Sequence, residues 1–132
     1  MDAATAQLAR QRAGNRCEYC RLLQEHSALR FHIGHIVAQQ HGGTDDTENL
    51  ALACPECNYQ KGTNLTGVDP DTGKVTCLFH PRCDRWQDHF ACDGARIVGK
   101  TPEGRTTVWL LRVNTGDRLR WRELLLRLGL LE

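Results

Sequence analysis

Two Cys-x-x-Cys pairs constrain this chain more than any other feature of its sequence. Cys17 and Cys20 form the first pair, Cys54 and Cys57 form the second, and 33 residues separate the pairs. Two residues between cysteines let both thiolates face one ion, and two such pairs complete the tetrahedron that zinc prefers. Because protein would fill all four ligand positions, the expected zinc is structural, and it would join an N-terminal knuckle to a downstream helix. A thiol redox pair or unrelated buried thiols are the alternatives.

The bulk properties of the chain fit one small domain. Its 132 residues predict a single domain, residues 1–132, with a modest core of the size that often recruits a metal. Seven cysteines argue against a disulfide framework, and Cys77, Cys83 and Cys92 are expected to be free and partly buried. The sequence lacks both a run of apolar residues that could span a membrane and an apolar signal core. We therefore expect a cytoplasmic protein without membrane contact.

The net charge of +1 does not by itself indicate a nucleic-acid-binding protein. Residues 31–62 contain Lys61 as their only Lys or Arg, against four acidic residues. A phosphate-binding surface would therefore draw its cations from the flanking segments. A solvated surface explains the flanking arginines equally well.

The N-terminal half shows an alternation of periodic and turn-rich segments. We expect a helix at residues 2–13, a strand at 29–36 and a loop at 39–49. A short apolar segment at 50–53 then leads to a second helix at 55–61. Gly14 is the expected end of the first helix. Pro55 fits the first turn of the second helix, and Gly62 fits its end.

The C-terminal half is expected to begin with a linker over residues 63–74. A short strand at residues 77–79 and a turn or one-turn helix at 85–91 should follow. Two strands are then expected at residues 95–98 and 106–113, and a last helix at 114–128. The two longer strands would form a hairpin around the turn-rich residues 100–104. One apolar stripe of the last helix should face the core, and it comprises Trp121, Leu124, Leu125 and Leu128.

The stretch from His32 to Lys61 carries several motif elements in order. They are a strand ending in His35-Ile36, the Gly42-Gly43 turn, Glu48-Asn49-Leu50, and Cys-x-x-Cys-Asn-x-x-Lys-Gly over residues 54–62. In this order they resemble an HNH endonuclease, and the two cysteine pairs resemble the zinc-stabilised subset of that family. The resemblance covers a core of about residues 14–62. A looser resemblance, to an extension found on some small bacterial members, covers about residues 75–132.

The resemblance implies an α+β fold. Its core would be a small ββα-metal unit, treble-clef-like and of the His-Me finger type, with a structural zinc, followed by a C-terminal β-hairpin and helix. His35 matches the general base, Asn49 the asparagine that ties the loop and orients the histidine, and Asn58 a ligand of a catalytic divalent cation.

The chemistry of these residues agrees with such a site. Histidine has an ordinary pKa near about 6.5, so it can accept a proton from water at cellular pH. A hard cation on the phosphate oxygens would act as a Lewis acid and as a template. The implied reaction is hydrolysis of phosphodiester bonds in DNA, with RNA as a further possible substrate. Lys61, one helical turn after Asn58, could reach a phosphate, and three flanking arginines are candidate backbone contacts, namely Arg16, Arg21 and Arg82.

Gly34 departs from the family pattern. The family usually places Asp, Glu or His immediately before the base, where the side chain binds the metal, and glycine offers no ligand. His32 could substitute, because it lies two residues earlier on the same face of the strand. A site made of His and Asn would favour Mn²⁺, Ni²⁺ or Zn²⁺ over the Mg²⁺ that suits an aspartate. In the alternative, the metal site is impaired and the protein is a zinc-stabilised nucleic-acid-binding module.

Overall fold

A computed structural model of the chain describes residues 1–131. Within them the fold is α+β, with short helices and three two-stranded antiparallel sheets. The chain divides into two compact units. Unit 1 contains Met1–Leu65 and His80–Arg85, and unit 2 contains Thr66–Phe79 and the chain from Trp86 onward. No helix in the described part of the chain is long and apolar enough to cross a membrane.

Unit 1 begins with helix α1 (Ala3–Arg12), close to its predicted bounds. Asp2 caps this helix, because its Oδ1 accepts a hydrogen bond from the Thr5 amide at 2.8 Å and so satisfies one of the free amides of the first turn. Gly14 follows the helix with a φ of +64°, a left-handed conformation that glycine adopts without steric cost. The predicted end of the helix is therefore confirmed.

Strands β1 (His32–His35) and β2 (Leu50–Ala53) pair antiparallel in unit 1, with His32 opposite Ala53 and His35 opposite Leu50. Every residue of β2 is buried, which explains its unbroken apolar sequence. β1 is shorter than the predicted residues 29–36, because β2 offers only four partners. The buried apolar side chains of unit 1 include Ala9, Tyr19, Leu22, Phe31, Ile36, Leu50 and Leu52.

Helix α2 (Pro55–Lys61) follows β2 directly, as the sequence predicts. Pro55 occupies the first turn, where its missing N–H costs nothing. Gly62 ends the helix with a φ of +53°. Cys54 is the N-cap, and its sulfur accepts a hydrogen bond from the Cys57 amide. The helix that carries Asn58 therefore starts at a cysteine of the second pair.

Unit 2 begins with a hairpin where the sequence predicted a linker. β3 (Thr66–Val68) pairs with β4 (Val75–Cys77), so the strand expected at residues 77–79 lies two residues earlier. Asp69 organises the connecting turn, because its carboxylate accepts hydrogen bonds from the Asp71 amide and the Thr72 hydroxyl. Arg105 also binds this buried carboxylate and holds the pKa of Asp69 at about 2.

The second hairpin of unit 2 shows that the predicted strand at residues 106–113 is wrong, because other residues pair with the strand at 96–99. Its strands are β5 (Phe90–Asp93), which follows the short helix α3 (Trp86–His89), and β6 (Arg96–Gly99). The segment predicted as a strand lies instead in helix α4 (Pro102–Leu111). Thr101 caps that helix by accepting from the Gly104 amide at 3.0 Å. The turn-rich residues 100–104 thus contain the start of a helix. The β-branched residues that follow favour a strand by propensity, but they lie in this helix.

Helix α5 (Gly116–Arg127) has the predicted position but a different buried face. Of the predicted apolar stripe only Leu125 is buried, whereas Trp121 is 45% and Leu128 is 62% exposed. Arg118 and Arg122 take the buried positions beside Leu125. Their guanidinium groups donate to backbone carbonyls, Arg118 to Leu111 and Arg122 to Ala95 and Val113. An arginine with such partners can bury its long aliphatic stem. A pattern based on apolar residues alone could not indicate this.

Candidate active site and metal centre

The four cysteines of the two pairs come together in unit 1. The sulfurs of Cys17, Cys20, Cys54 and Cys57 all lie within 4.8 Å of one another, and all four residues are buried. The sulfurs of Cys20 and Cys54 are 3.7 Å apart, which is too far for a disulfide. A tetrahedral zinc with Zn–S bonds of about 2.3 Å requires sulfurs about 3.8 Å apart. The four cysteines are therefore positioned to bind one metal ion.

Backbone amides support the sulfurs of this cluster. The Cys20 amide donates to the Cys17 sulfur at 3.5 Å, and the Cys57 amide donates to the Cys54 sulfur at 3.4 Å. Such bonds stabilise negative charge on sulfur, as metal-bound thiolates require. Cys77, Cys83 and Cys92 are free, as predicted, but exposed and not partly buried.

Glu18 fixes the cysteine knuckle to strand β2. Its backbone amide donates to the Leu52 carbonyl at 2.9 Å, and its carboxylate accepts from the Leu52 amide at 2.8 Å. The same carboxylate forms an ion pair with Arg82. The Arg82 side chain is only 9% exposed, and burial lowers its pKa to about 10. The expectation of Arg82 as a phosphate contact is therefore corrected, because its guanidinium is committed to the scaffold.

His35 lies at the end of β1 and is half-buried. Its Nε2 is 2.7 Å from Oδ1 of Asp45, a residue of the loop between β1 and β2. This contact lowers the pKa of the Asp45 carboxyl. The sequence did not lead us to predict the contact between His35 and Asp45. The Gly42-Gly43 turn reverses the chain, so an acidic residue just after it could have indicated a carboxylate near His35.

Asn49 connects the two ends of the loop between β1 and β2. Its Oδ1 accepts from the Val37 amide at 2.9 Å, and its Nδ2 donates to the carbonyls of Val37 and Thr44 at 3.0 and 2.8 Å. Gly43 has to be glycine beneath this side chain, because a Cβ there would lie 1.7 Å from the Val37 carbonyl oxygen. Asn49 therefore holds the segment that follows His35.

Asn58 places its side chain against Gly34. A Cβ built on Gly34 would lie 2.8 Å from Oδ1 of Asn58. The Asn58 amide on α2 therefore occupies the space beside the position where a family member would carry its acidic ligand. His32 is exposed on β1, two residues before Gly34.

Lys61 does not face solvent. It is 6% exposed, and its Nζ donates to the Ile36 carbonyl at 2.8 Å. Burial lowers the pKa of this ammonium group. The expectation that Lys61 reaches a phosphate is therefore corrected: its side chain joins α2 to the residue after His35.

Arg16 and Arg21 lie beside the cysteine knuckle. Arg16 donates to the Arg21 carbonyl at 2.8 Å, and Arg21 has a φ of +71°.

Among residues 1–131, the four cysteines are the only group of three or more His, Cys, Asp or Glu close enough together to hold a metal. A second ion would therefore need ligands besides these four residue types, such as the amide of Asn58 or the substrate itself.

Comparisons with known proteins find similarity over the segment that contains these residues. The model of the HNH endonuclease family matches residues 17–64, the part of the chain that contains the four cysteines and His35, Asn49 and Asn58. The Septu protein PtuB of Bacillus thuringiensis is 25% identical over 116 residues, which cover 86% of this chain and 42% of that protein. The chain thus spans less than half the length of this relative. No solved structure matches. Residues 17–64 of this chain are thus similar to the HNH endonuclease family.

Proposed function

We propose that this chain is a metal-dependent HNH endonuclease that hydrolyses phosphodiester bonds in DNA. In this proposal β1, β2 and α2 form the ββα-metal core, and residues 1–132 act as one domain. The observation that carries it is the grouping within the family segment: His35 ends β1, Asn49 ties the loop beyond it, and Asn58 lies against Gly34.

His35 would act as the general base. A half-buried histidine whose Nε2 is held by a carboxylate keeps its other nitrogen available to take a proton from water. The oxygen of that water would attack phosphorus and displace the 3′ oxygen, leaving a 5′-phosphate and a 3′-hydroxyl. Asn49 would keep the loop, and with it the base, in place.

Two metal sites have different roles in this proposal. Zinc in the closed site of four cysteines has a structural role, since no ligand position stays open for water. Asn58, with His32, would hold a catalytic divalent cation, and when bound this ion supplies charge neutralisation at the phosphate. These ligands include nitrogen, so Mn²⁺ or Ni²⁺ should support the reaction better than Mg²⁺. DNA contacts would come from Arg16 and Arg21, and RNA is the second substrate to test.

Gly34 favours a second candidate, a zinc-stabilised nucleic-acid-binding module without turnover. The position before His35 carries no side chain, and Asn58 occupies the adjacent space. Such a protein would bind DNA with or without a divalent cation and would cut none.

Nicking of supercoiled plasmid in Mg²⁺, Mn²⁺ or Ni²⁺ tests the proposal. The wild-type protein should cut, His35→Ala should not, and His41→Ala, which removes an exposed histidine of the same stretch, should cut normally. Equal cutting by wild type and His35→Ala would refute His35 as the base. Binding without cutting in every metal would favour the second candidate.

Gly34→Asp separates the two candidates further. The new Cβ would meet only Oδ1 of Asn58, at 2.8 Å, and a shift of a few tenths of an ångström in that flexible side chain would relieve the contact while Asn58 stays at the site. If the missing carboxylate limits the reaction, this variant should gain Mg²⁺-dependent cutting. No gain would show that position 34 is not the limiting defect.

A further inference from the structure

The loop between β1 and β2 brings a carboxylate to the proposed base. Oδ1 of Asp45 lies 2.7 Å from Nε2 of His35, within the range of a short charge-assisted hydrogen bond. The other oxygen of Asp45 lies 3.4 Å from the amino nitrogen of Met1, a longer and exposed contact. The carboxylate thus makes its shorter contact with the imidazole.

Asn49 fixes the position of Asp45 through the backbone of the loop. Asn49 donates to the carbonyl of Thr44, the residue before Asp45, at 2.8 Å, and it binds both backbone groups of Val37, two residues after His35. One side chain therefore holds both sides of the contact between His35 and Asp45. This arrangement limits how far the imidazole and the carboxylate can separate.

The contact has a defined direction. An aspartate with an ordinary pKa near about 3.9 is ionised at neutral pH, and an ionised carboxylate only accepts hydrogen bonds. The proton between the two groups must therefore reside on Nε2. In the opposite neutral tautomer, the lone pair of Nε2 would face a carboxylate oxygen at 2.7 Å, which is repulsive.

We propose that Asp45 is a positioning residue for His35, holding the proton on Nε2 so that Nδ1 is the atom that accepts the proton from the attacking water. The catalytic part of this inference rests on the proposed function, whereas the tautomer of His35 does not. In the reaction an O–H bond of water breaks and an Nδ1–H bond forms. The water oxygen bonds to phosphorus, and the P–O3′ electron pair leaves with the 3′ oxygen, which takes a proton from solvent.

The carboxylate has a further effect during this step. When Nδ1 takes the proton, the imidazole becomes a cation, and Asp45 stabilises that charge through the hydrogen bond on the opposite nitrogen. Its loss should therefore slow the chemical step and leave DNA affinity nearly unchanged. We expect kcat to fall by about 10- to 100-fold, the range found for carboxylates that orient metal-binding histidines.

Nitrogen NMR of the His35 ring provides the first test, at a pH where the imidazole is neutral. The wild-type protein should show a protonated Nε2 and an unprotonated Nδ1, and Asp45→Ala should show a mixture of tautomers. Asp46→Asn is the matched control, because this exposed neighbour makes no capping hydrogen bond with its side chain. A wild-type ring protonated mainly on Nδ1 would overturn the proposal, as would an unchanged ring in Asp45→Ala.

Cleavage kinetics of the same proteins provide the second test. Asp45→Ala should lose kcat at unchanged KM, Asp45→Asn should lose less if its amide oxygen still accepts from Nε2, and Asp46→Asn should match the wild type. A kcat in Asp45→Ala equal to that of Asp46→Asn would overturn the positioning role. If no protein cuts any substrate, the proposed function fails, and the NMR result still decides whether Asp45 sets the tautomer.

Discussion

Asn49 holds the loop between β1 and β2 through three hydrogen bonds, and Asn49→Asp removes both of its donors at almost constant volume. The new carboxylate would still accept from the Val37 amide. Its second oxygen, however, would face the carbonyl oxygens of Val37 and Thr44 at the present 3.0 and 2.8 Å. Acceptors facing acceptors repel, so the loop must move or its carbonyls must find water.

The cost follows from the two lost hydrogen bonds. Each contributes about 0.5–1.5 kcal/mol net, and carbonyls left without a partner add part of about 1–3 kcal/mol each. Water relieves some of this penalty, because Asn49 is only half-buried. We therefore expect Asn49→Asp to destabilise unit 1 by about 2–3 kcal/mol, which corresponds to a roughly 30- to 150-fold larger open population.

Hydrogen exchange at the amides of β1 and β2 is the suitable assay, since it reports on unit 1 directly, whereas all three tryptophans lie in unit 2. Asn64→Asp is the matched control, because exposed Asn64 donates a single bond, to the Lys61 carbonyl at 3.0 Å. The control should change stability by less than about 1 kcal/mol. Equal exchange rates in the two variants would refute the claim that Asn49 ties the loop.

Three further predictions concern the scaffold. Cys57→Ser should lose the bound metal and unfold unit 1, because structural zinc supplies about 10–16 kcal/mol, whereas the same change at exposed Cys83 should retain about one zinc per chain by elemental analysis. Asp69, whose pKa of about 2 lies below its unfolded value, should stabilise unit 2 above about pH 4 and lose this effect as pH falls through 2. Unfolding followed by tryptophan fluorescence should therefore give Asp69→Asn a lower free energy of unfolding than wild type above about pH 4 and nearly the same value at about pH 2. A difference that does not change with pH would contradict this. Arg82→Gln should cost about 2–3 kcal/mol, because the Glu18 carboxylate loses its cationic partner and keeps the Leu52 amide. The salt dependence of DNA binding should not change, and a reduced salt slope would instead show that Arg82 contacts DNA.

The sequence predicted the part of the molecule where spacing dictates geometry. Paired cysteines have few ways to share an ion, so Cys17, Cys20, Cys54 and Cys57 could be grouped without coordinates. Gly14, Pro55 and Gly62 marked helix ends because the requirements of the first turn and of positive φ act within a few residues. Local rules therefore located α1 and α2.

Contacts between distant residues could not be predicted in the same way. Thr106 and Thr107 favoured a strand by propensity, yet the Thr101 cap and burial placed them in α4. Lys61 and Arg82 looked like surface cations until partners 25 and 64 residues away in sequence, the Ile36 carbonyl and Glu18, were known. The partner of His35 also depended on how the loop closes.

In the proposed function, a closed cysteine site maintains the fold while His35 performs the chemistry. The most direct measurement determines zinc content and plasmid cleavage on the same preparation of His35→Ala. We expect one zinc per chain, as in the wild type, and no cleavage in Mn²⁺ or Ni²⁺ where the wild type cuts. Cleavage at the wild-type rate by a zinc-loaded His35→Ala protein would contradict it.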